Sequence, residues 1–401
     1  SPLDITHQNP SYACSEQQRL LSNNFEHAPC ASYQRDKGTF QDNRKKVFAH
    51  LFLIRILSLP PIYVANNFHR HFGCCNSNDH LLSATVPPTI GFHFKPTIQE
   101  PNLCRVFMAR RIEVRAPSRI DLAGGWTDVP TYCKQKTGEV VNIAINQYVR
   151  CEMLIDDDRK ISLTYKTDMP TGSGLGTSGA MNVGFISTIT SASQQPIETA
   201  EIAYQFEALL GNKGGRQDQW ASALGGINHL SFDDEAVLVE KITPSIEFCN
   251  WLENHLLLFN SHITHVSGDL HKSVWQRFED GDEEITNGLD LIREAGLLMA
   301  KGITTESVED VVNAMNMNSA GVDILGLELH EPFRDKLQEL SDNGVVRAWK
   351  AMGAGGGGVV GIILDSSQNN LEVINRLESI GWTNIPWKID TDGVVRKEIS
   401  L

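Results

Sequence analysis

The amino-acid sequence predicts an α+β protein. Apolar segments with strand-like alternation and segments with helical spacing are mixed along the chain, without the regular βα alternation that a doubly wound parallel sheet requires. No internal repeat marks a solenoid or propeller. At 401 residues the chain is long enough for two or three domains, each with its own core.

The elements follow in order from Met108. Strands are expected at Ile112–Val114, Arg119–Leu122, Val140–Ile145 and Val149–Ile155, the last running into the turn Asp156-Asp157-Asp158. Ile161–Tyr165 alternates as another strand. A glycine-rich segment then leads into the small, apolar run Ala180–Ile189, which reads as a helix. Ile197–Leu210 has helical apolar spacing and stops at Gly211-Asn212, a helix-ending pair. Ile227–Phe232 and Ala236–Lys241 are strands. A second block follows, with its boundary near 242–252. It holds a strand at His255–Asn260 and helices around Val266–Phe278, Ile285–Lys301, Ser307–Met317 and Val345–Met352. Val359–Leu364 is a strand, Asn370–Ile380 a helix and Trp387–Asp390 a final strand.

The first 107 residues differ from the rest. They hold five of the eight cysteines, seven of the thirteen histidines and nine of the sixteen prolines, yet three of the 32 glycines and no methionine. No helical or strand period persists there, so they are read as a non-native or disordered extension, with the functional protein beginning near Met108. Cys74-Cys75 with His69, His71 and His80 fits no zinc spacing. The apolar stretch Val47–Val64 is broken by Arg55 and Pro60-Pro61, which argues against an anchor or signal.

A net charge of −14 argues against nucleic acid as the main partner. Cys133, Cys151 and Cys249 have no metal-ligand spacing and read as reduced thiols.

The densest chemical signal is Pro-Thr-Gly-Ser-Gly-Leu-Gly-Thr-Ser-Gly-Ala at 170–180. Gly172, Gly174 and Gly176 leave the backbone bare, so that N–H groups and a helix N-terminus can close on a phosphate. The lysine of the common P-loop is absent. Four features accompany this loop: Arg119 to Asp128, a strand ending in Gly124-Gly125-Trp126; Glu207 on a helix; Gly214-Gly215-Arg216-Gln217-Asp218; and Gly353–Gly358 before an apolar strand. Phosphoryl transfer needs a metal, a cation and a group that orients the attacking hydroxyl. Ser178 and Glu207 offer hard oxygen ligands for Mg²⁺. Asp218 could act as base beside Arg119, although a neighbouring arginine weakens it as a full base and favours an orienting role. Each residue also has an ordinary reading: Asp128 as a turn cap, Glu207 as a solvated helix charge, Trp126 as a core aromatic, Gly353–Gly358 as a flexible turn, Asp168 and His265 as structural groups.

Together the three glycine motifs resemble the signatures of the GHMP kinase superfamily, over about residues 111–395. The resemblance implies a two-domain fold, with a ribosomal S5 domain 2-like N-terminal domain over 108–245 and a ferredoxin-like C-terminal domain over 246–401. It implies that Gly172, Ser173, Gly174, Leu175, Gly176, Thr177 and Ser178 wrap the ATP phosphates, with Gly355 and Gly356 supporting them. Ser178 and Glu207, eleven residues before Asp218, would hold Mg²⁺. Asp218 and Arg119 would be catalytic.

Ala123–Pro130 further resembles the branch acting on L-fucose and on D-glycero-D-manno-heptose 7-phosphate. That implies Asp128 as sugar anchor, with Gly125 beside it and Trp126 available to stack on a pyranose. Two departures stand out: Gly179 where the family has serine, and Ser261-His-Ile-Thr264-His265 where a Thr-Arg pair is common. The function so implied is ATP-dependent phosphorylation of a monosaccharide, fucose-like or a heptose phosphate, at its anomeric hydroxyl. A non-catalytic sugar and ATP sensor, a galactokinase-type or mevalonate-type kinase, and a decarboxylating lyase are the alternatives. The expected partners are a small-molecule sugar and ATP, in the cytoplasm, with no nucleic acid and no membrane; a homodimer is compatible with the sequence.

Overall fold

The structure is a computed structural model and describes residues 109–170, 172–211, 214–234, 236–263 and 268–401. All of them lie in the unit Gln99–Leu401. The expectations for residues 1–107, and those for Thr264 and His265, fall outside the described residues.

The first sheet is built on two long antiparallel strands, β1 (Arg110–Ala123) and β2 (Gly138–Ile155), separated by a short helix α1 (Pro130–Cys133). β2 pairs with β1 along one edge. Its other edge is shared between β4 (Ile227–Phe232) at Gly138–Ile143 and β3 (Ile161–Thr167) at Val149–Ile155. β5 (Val237–Ile242) pairs with β4, and the closing strand β10 (Val395–Ser400) returns to pair with β1. The two strands expected at 112–114 and 119–122 are thus one. Pro117 does not break it, because β10 reaches only Arg115 and a register irregularity falls between Pro117 and Ser118. Likewise 140–145 and 149–155 form one strand.

Three helices accompany this sheet: α2 (Thr177–Ile189), α3 (Pro196–Leu209) and α4 (Gln217–Leu224). α3 ends as expected, with Gly211 at φ +92° just beyond it. Downstream lie α5 (Ile246–His255), β6 (Leu256–Asn260), α6 (Gly268–Glu279), α7 (Glu283–Thr304), α8 (Val308–Leu325) and α9 (Glu331–Asp342). They are followed by β7 (Val346–Ala351), β8 (Val359–Leu364), α10 (Asn370–Ser379) and β9 (Thr383–Ile385). The second sheet runs β7-β8-β6-β9, antiparallel throughout.

One apolar core joins the sheets: Ile120 and Ile143 from the first, Leu258 and Ile363 from the second, with Met299 of α7 and Met315 of α8 between. Among the described residues no helix is long and apolar enough to cross a membrane.

The structure corrects several element expectations. Val345–Met352 is not a helix but β7, with Val346, Ala348 and Lys350 buried at alternate positions. A lysine facing inward masks the apolar alternation that identifies a strand. Trp387–Asp390 makes a single bridge, Ile145 to Ile389, rather than a strand. α4, α5, α9 and β10 were not expected. α5 opens at Ser245, whose hydroxyl accepts the Phe248 N–H. The α9 face is carried by Phe333, Leu337 and Leu340.

Candidate active site

Because β10 stops at Arg115, the outer edge of β1 beyond it is open, and the glycine loop takes it. The Arg119 N–H donates to the Leu175 carbonyl at 2.9 Å. Gly172, Gly174 and Gly176 lie at φ +82°, +86° and +69°, a region side chains resist. At Gly174 space is short as well, since a Cβ would fall 2.4 Å from the Met352 carbonyl oxygen. Leu175 is buried and ties the loop into the core. Helix α2 starts at once after Gly176 with no side-chain cap, which leaves its first N–H groups available to an anion. The loop also meets the third glycine segment, through the Val359 N–H donating to the Ser173 carbonyl at 2.8 Å.

Arg119 and Asp121 share one face of β1, while Ile120 and Leu122 turn into the core. Arg119 is 4% exposed. Its Nε and Nη2 donate to Asp218 Oδ1 at 2.8 and 2.6 Å, and its Nη1 donates to the Gly174 carbonyl. Asp218 stands in the first turn of α4, where the helix dipole favours a carboxylate. It is also close to the loop, since a Cβ on Gly176 would lie 3.1 Å from its Cγ. Gly179 makes the approach of α2 to α4 feasible, because a Cβ there would stand 2.5 Å from the Cβ of Asp218.

Beside this pair lies a cavity of about 670 Å³, lined among others by Arg119, Asp128, Ser178 and Asp218. Asp128 is 2% exposed, and its Oδ2 accepts the Gln217 N–H at 3.0 Å. Burial raises its pKa to about 6, helped by the nearby charges of Asp218 and Asp121 and opposed by the Gln217 N–H. Gly215 abuts this carboxylate, for a Cβ there would lie 2.0 Å from Asp128 Oδ2. Trp126 lines the cavity at φ +89°, a strained conformation for a bulky residue. Its ring packs against His271 and Trp275 with centroids 4.6 and 5.8 Å away. Trp126 is therefore both a core aromatic and a wall of the cavity.

Of the residues singled out by sequence, Gly172, Gly174, Gly176, Thr177, Ser178, Asp218, Arg119, Asp128 and Trp126 meet at this cavity. Ser173, Leu175 and Gly125 lie behind its wall. Gly355 and Gly356 do not line it: a Cβ on Gly355 would face the Leu329 carbonyl, and the Gly356 N–H donates to that carbonyl at 2.8 Å. Gly353 and Ala354 stand on the wall in their place. Asp168 is tied to Arg150 and the Tyr148 N–H, the structural role expected of it.

Sequence reasoning missed Asp121, Gln217, His271, Lys272 and Trp275, which also line the cavity. It missed Lys350 too, whose Nζ donates to Asp121 Oδ2 at 2.7 Å. This pair is wholly buried, and burial pulls the Lys350 pKa down against the support of Asp121. No local signal marked the pair, since Asp121 shares β1 with Glu113 and several arginines, and Lys350 shares β7 with Arg347.

Ser178 is exposed on the cavity, and Asn182, four residues on, shares its helix face about 6 Å further along α2. Asn182 Nδ2 donates to Glu207 Oε2 at 3.0 Å, and Gln219 Nε2 donates to the same oxygen. Glu207 is thereby tied to α2 through Asn182, and it does not line the cavity itself. The Ser178 hydroxyl and the Glu207 carboxylate are hard oxygen donors of the kind that Mg²⁺ takes.

Comparison with known proteins follows the same lines. Residues 140–226 match the family described as GHMP kinases N terminal domain. The chain is 25% identical over 311 residues to a D-glycero-alpha-D-manno-heptose 7-phosphate kinase of Campylobacter jejuni, covering 65% of this chain and 91% of that protein. It is 24% identical over 362 residues to a bifunctional fucokinase/GDP-fucose pyrophosphorylase of Arabidopsis thaliana, covering 75% of this chain and 34% of the longer plant protein. The crystal structure of a D-glycero-D-manno-heptose 1-phosphate kinase from Bacteroides thetaiotaomicron superposes with a TM-score of 0.57 at 19% identity, over 72% of this chain and 100% of that one. That likeness establishes the shared two-domain α+β fold. The family match runs from β2 through the glycine loop and Asp218 to Gly226, so this stretch of the chain is similar to the N-terminal domain of the GHMP kinases.

Proposed function

We propose that this protein is an ATP-dependent kinase that phosphorylates a monosaccharide, fucose-like or a heptose phosphate, at its anomeric hydroxyl. The ATP-binding half is 108–245 and the second half 246–401. The observation that carries this reading is the Arg119–Asp218 pair, held against the glycine loop on the wall of a cavity that Asp128 also lines. The names of the relatives from Campylobacter jejuni and Arabidopsis thaliana support the sugar acceptor. The acidic balance of −14 suits a cytoplasmic enzyme of small molecules rather than a nucleic-acid binder.

In this reading the N–H groups of the loop and of the first turn of α2 hold the ATP phosphates. Bound Mg²⁺, held by Ser178 and Glu207, would neutralise phosphate charge. Asp128 accepts sugar hydroxyls and sets the acceptor's orientation. Asp218 accepts the proton, or the hydrogen bond, of the attacking hydroxyl. Arg119 holds Asp218 in place, and its fixed charge steadies the negative charge that develops on the transferring group.

The test is ADP release by the full chain with L-fucose, D-galactose, D-mannose, D-glucuronate, heptose phosphates and mevalonate. The reading predicts release well above the acceptor-free rate with one of the sugars. Release with none of them contradicts it, and release with mevalonate alone moves the protein to another branch.

A further inference from the structure

The cavity wall beside Asp128 holds more hydrogen-bonding capacity than the protein uses. Asp121 is 0% exposed; Lys350 engages its Oδ2, while its Oδ1 has no hydrogen-bond partner among the described residues. Gln217 is 5% exposed; its backbone N–H serves Asp128, while its side-chain Oε1 is likewise without a partner. Trp126 is 7% exposed, and its Nε1 is a third such atom. All three residues line the same cavity as Asp128. Buried polar atoms are nearly always partnered, and three exceptions on one wall point to a partner supplied by a bound molecule.

The chemistry of the set is specific. Asp121 Oδ1, Gln217 Oε1 and the Asp128 carboxylate accept hydrogen bonds, whereas Trp126 Nε1 donates. A hydroxyl can donate to the first three and accept from the last. A phosphate or carboxylate oxygen can only accept, and two carboxylates would repel it. The Asp121 carboxylate is also held rigid. The Lys350 ammonium, itself anchored on the Ala351 carbonyl at 3.2 Å, fixes its rotamer from the second sheet. Gly125 leaves room for this arrangement, because a Cβ there would fall 2.1 Å from Asp121 Oδ2 and 2.9 Å from Gln217 Nε2.

We infer that Asp121, positioned by Lys350, and Gln217 act with Asp128 as hydroxyl acceptors, so that this wall selects the neutral, hydroxyl-bearing edge of the acceptor sugar and turns any anionic substituent away from it. The inference rests on the sugar-binding reading of the cavity, but not on turnover.

Isothermal titration of the full chain with L-fucose, D-galactose, D-mannose and a heptose phosphate, and with monodeoxy analogues of the tightest binder, tests it. Asp121→Asn is the informative variant. Lys350 requires an oxygen, so the amide NH₂ takes the Oδ1 position and an acceptor becomes a donor. The expected result is a loss of about tenfold or more in affinity for the parent sugar, as for a hydrogen bond to a charged group. The loss should shrink to about twofold or less for one monodeoxy analogue, with ATP affinity unchanged. Gln217→Met should show the same selective pattern against a different analogue, and serves alone if Asp121→Asn fails to fold. An equal penalty across the parent and every analogue, or no penalty, overturns the inference, and so does failure of the wild type to bind any sugar. Sugar binding without ADP release would instead defeat the kinase reading, while the deoxy pattern still decides this one.

Discussion

Asp128 sits 2% exposed, beside two other acids, on the wall of the cavity proposed to take the sugar. Burial lifts its pKa from 3.8 to about 6, so between about pH 4 and pH 6 the folded state holds this proton more firmly than the unfolded chain. Its contribution to stability is therefore greatest below about pH 4 and declines as pH rises to about 6, with no further change above. Sugar binding runs the other way, because only the carboxylate accepts hydrogen bonds at both oxygens. The predicted kcat/KM for sugar falls about tenfold per unit as pH drops below about 6, and Asp128→Asn removes that limb from the pH profile. Two further residues are open to single tests. Asp218→Asn keeps the shape and an oxygen for Arg119; kcat should fall by about 10²–10⁴-fold while nucleotide titration shows ATP binding spared. Glu207→Gln should raise the Mg²⁺ concentration needed for half-maximal rate, and an unchanged metal titration counts against the ligand assignment. Arg119, Asp128, Ser178 and Asp218 were singled out from motif and resemblance, and the structure brings these four to one cavity, while Glu207 stands off it. Asp121 was not, since an acid inside a strand looks like any solvated charge until the strand's inner face is known.

Helices α2 and α4 meet at Gly179 and Asp218, and that contact sets where the carboxylate stands relative to the phosphate loop. Gly179→Ala places a methyl 2.5 Å from the Asp218 Cβ, so the helices must part. The expected cost is about 1–3 kcal/mol, read by denaturant unfolding, with a fall in kcat larger than the change in the KM for ATP. Near-normal kcat would show that the spacing of the helices tolerates the methyl. At this level the sequence was legible where one face is buried and the other is wet, as in β4 and the helices α7 and α10. It was illegible where that contrast fails. β10 is mostly exposed and carries Arg396, Lys397 and Glu398, so its pattern is charge rather than apolar alternation. In β7 the inward Lys350 breaks the apolar period, and α4 is an eight-residue helix, too short to show one.

The two sheets share one apolar core and, among the described residues, a buried ion pair between β1 and β7, Asp121 with Lys350. Breaking it from one side leaves an uncompensated buried charge. Lys350→Met should therefore destabilise the fold by about 3–5 kcal/mol, while the double replacement Asp121→Leu/Lys350→Met should recover most of that loss in the same unfolding experiment. The pair also explains why the third glycine segment matters although its central glycines lie off the cavity. Lys350 and Gly353 connect the second sheet to the acceptor end and to the phosphate loop respectively. Such a bridge joins residues 229 positions apart, and no local pattern announces it. The proposed reaction transfers phosphate from ATP to a sugar hydroxyl. Phosphorus NMR of the full chain with ATP, Mg²⁺ and the sugar selected by ADP release tests this most directly. The predicted spectrum shows ADP and a sugar phosphate whose phosphorus couples to the anomeric proton; ADP with inorganic phosphate alone would contradict it.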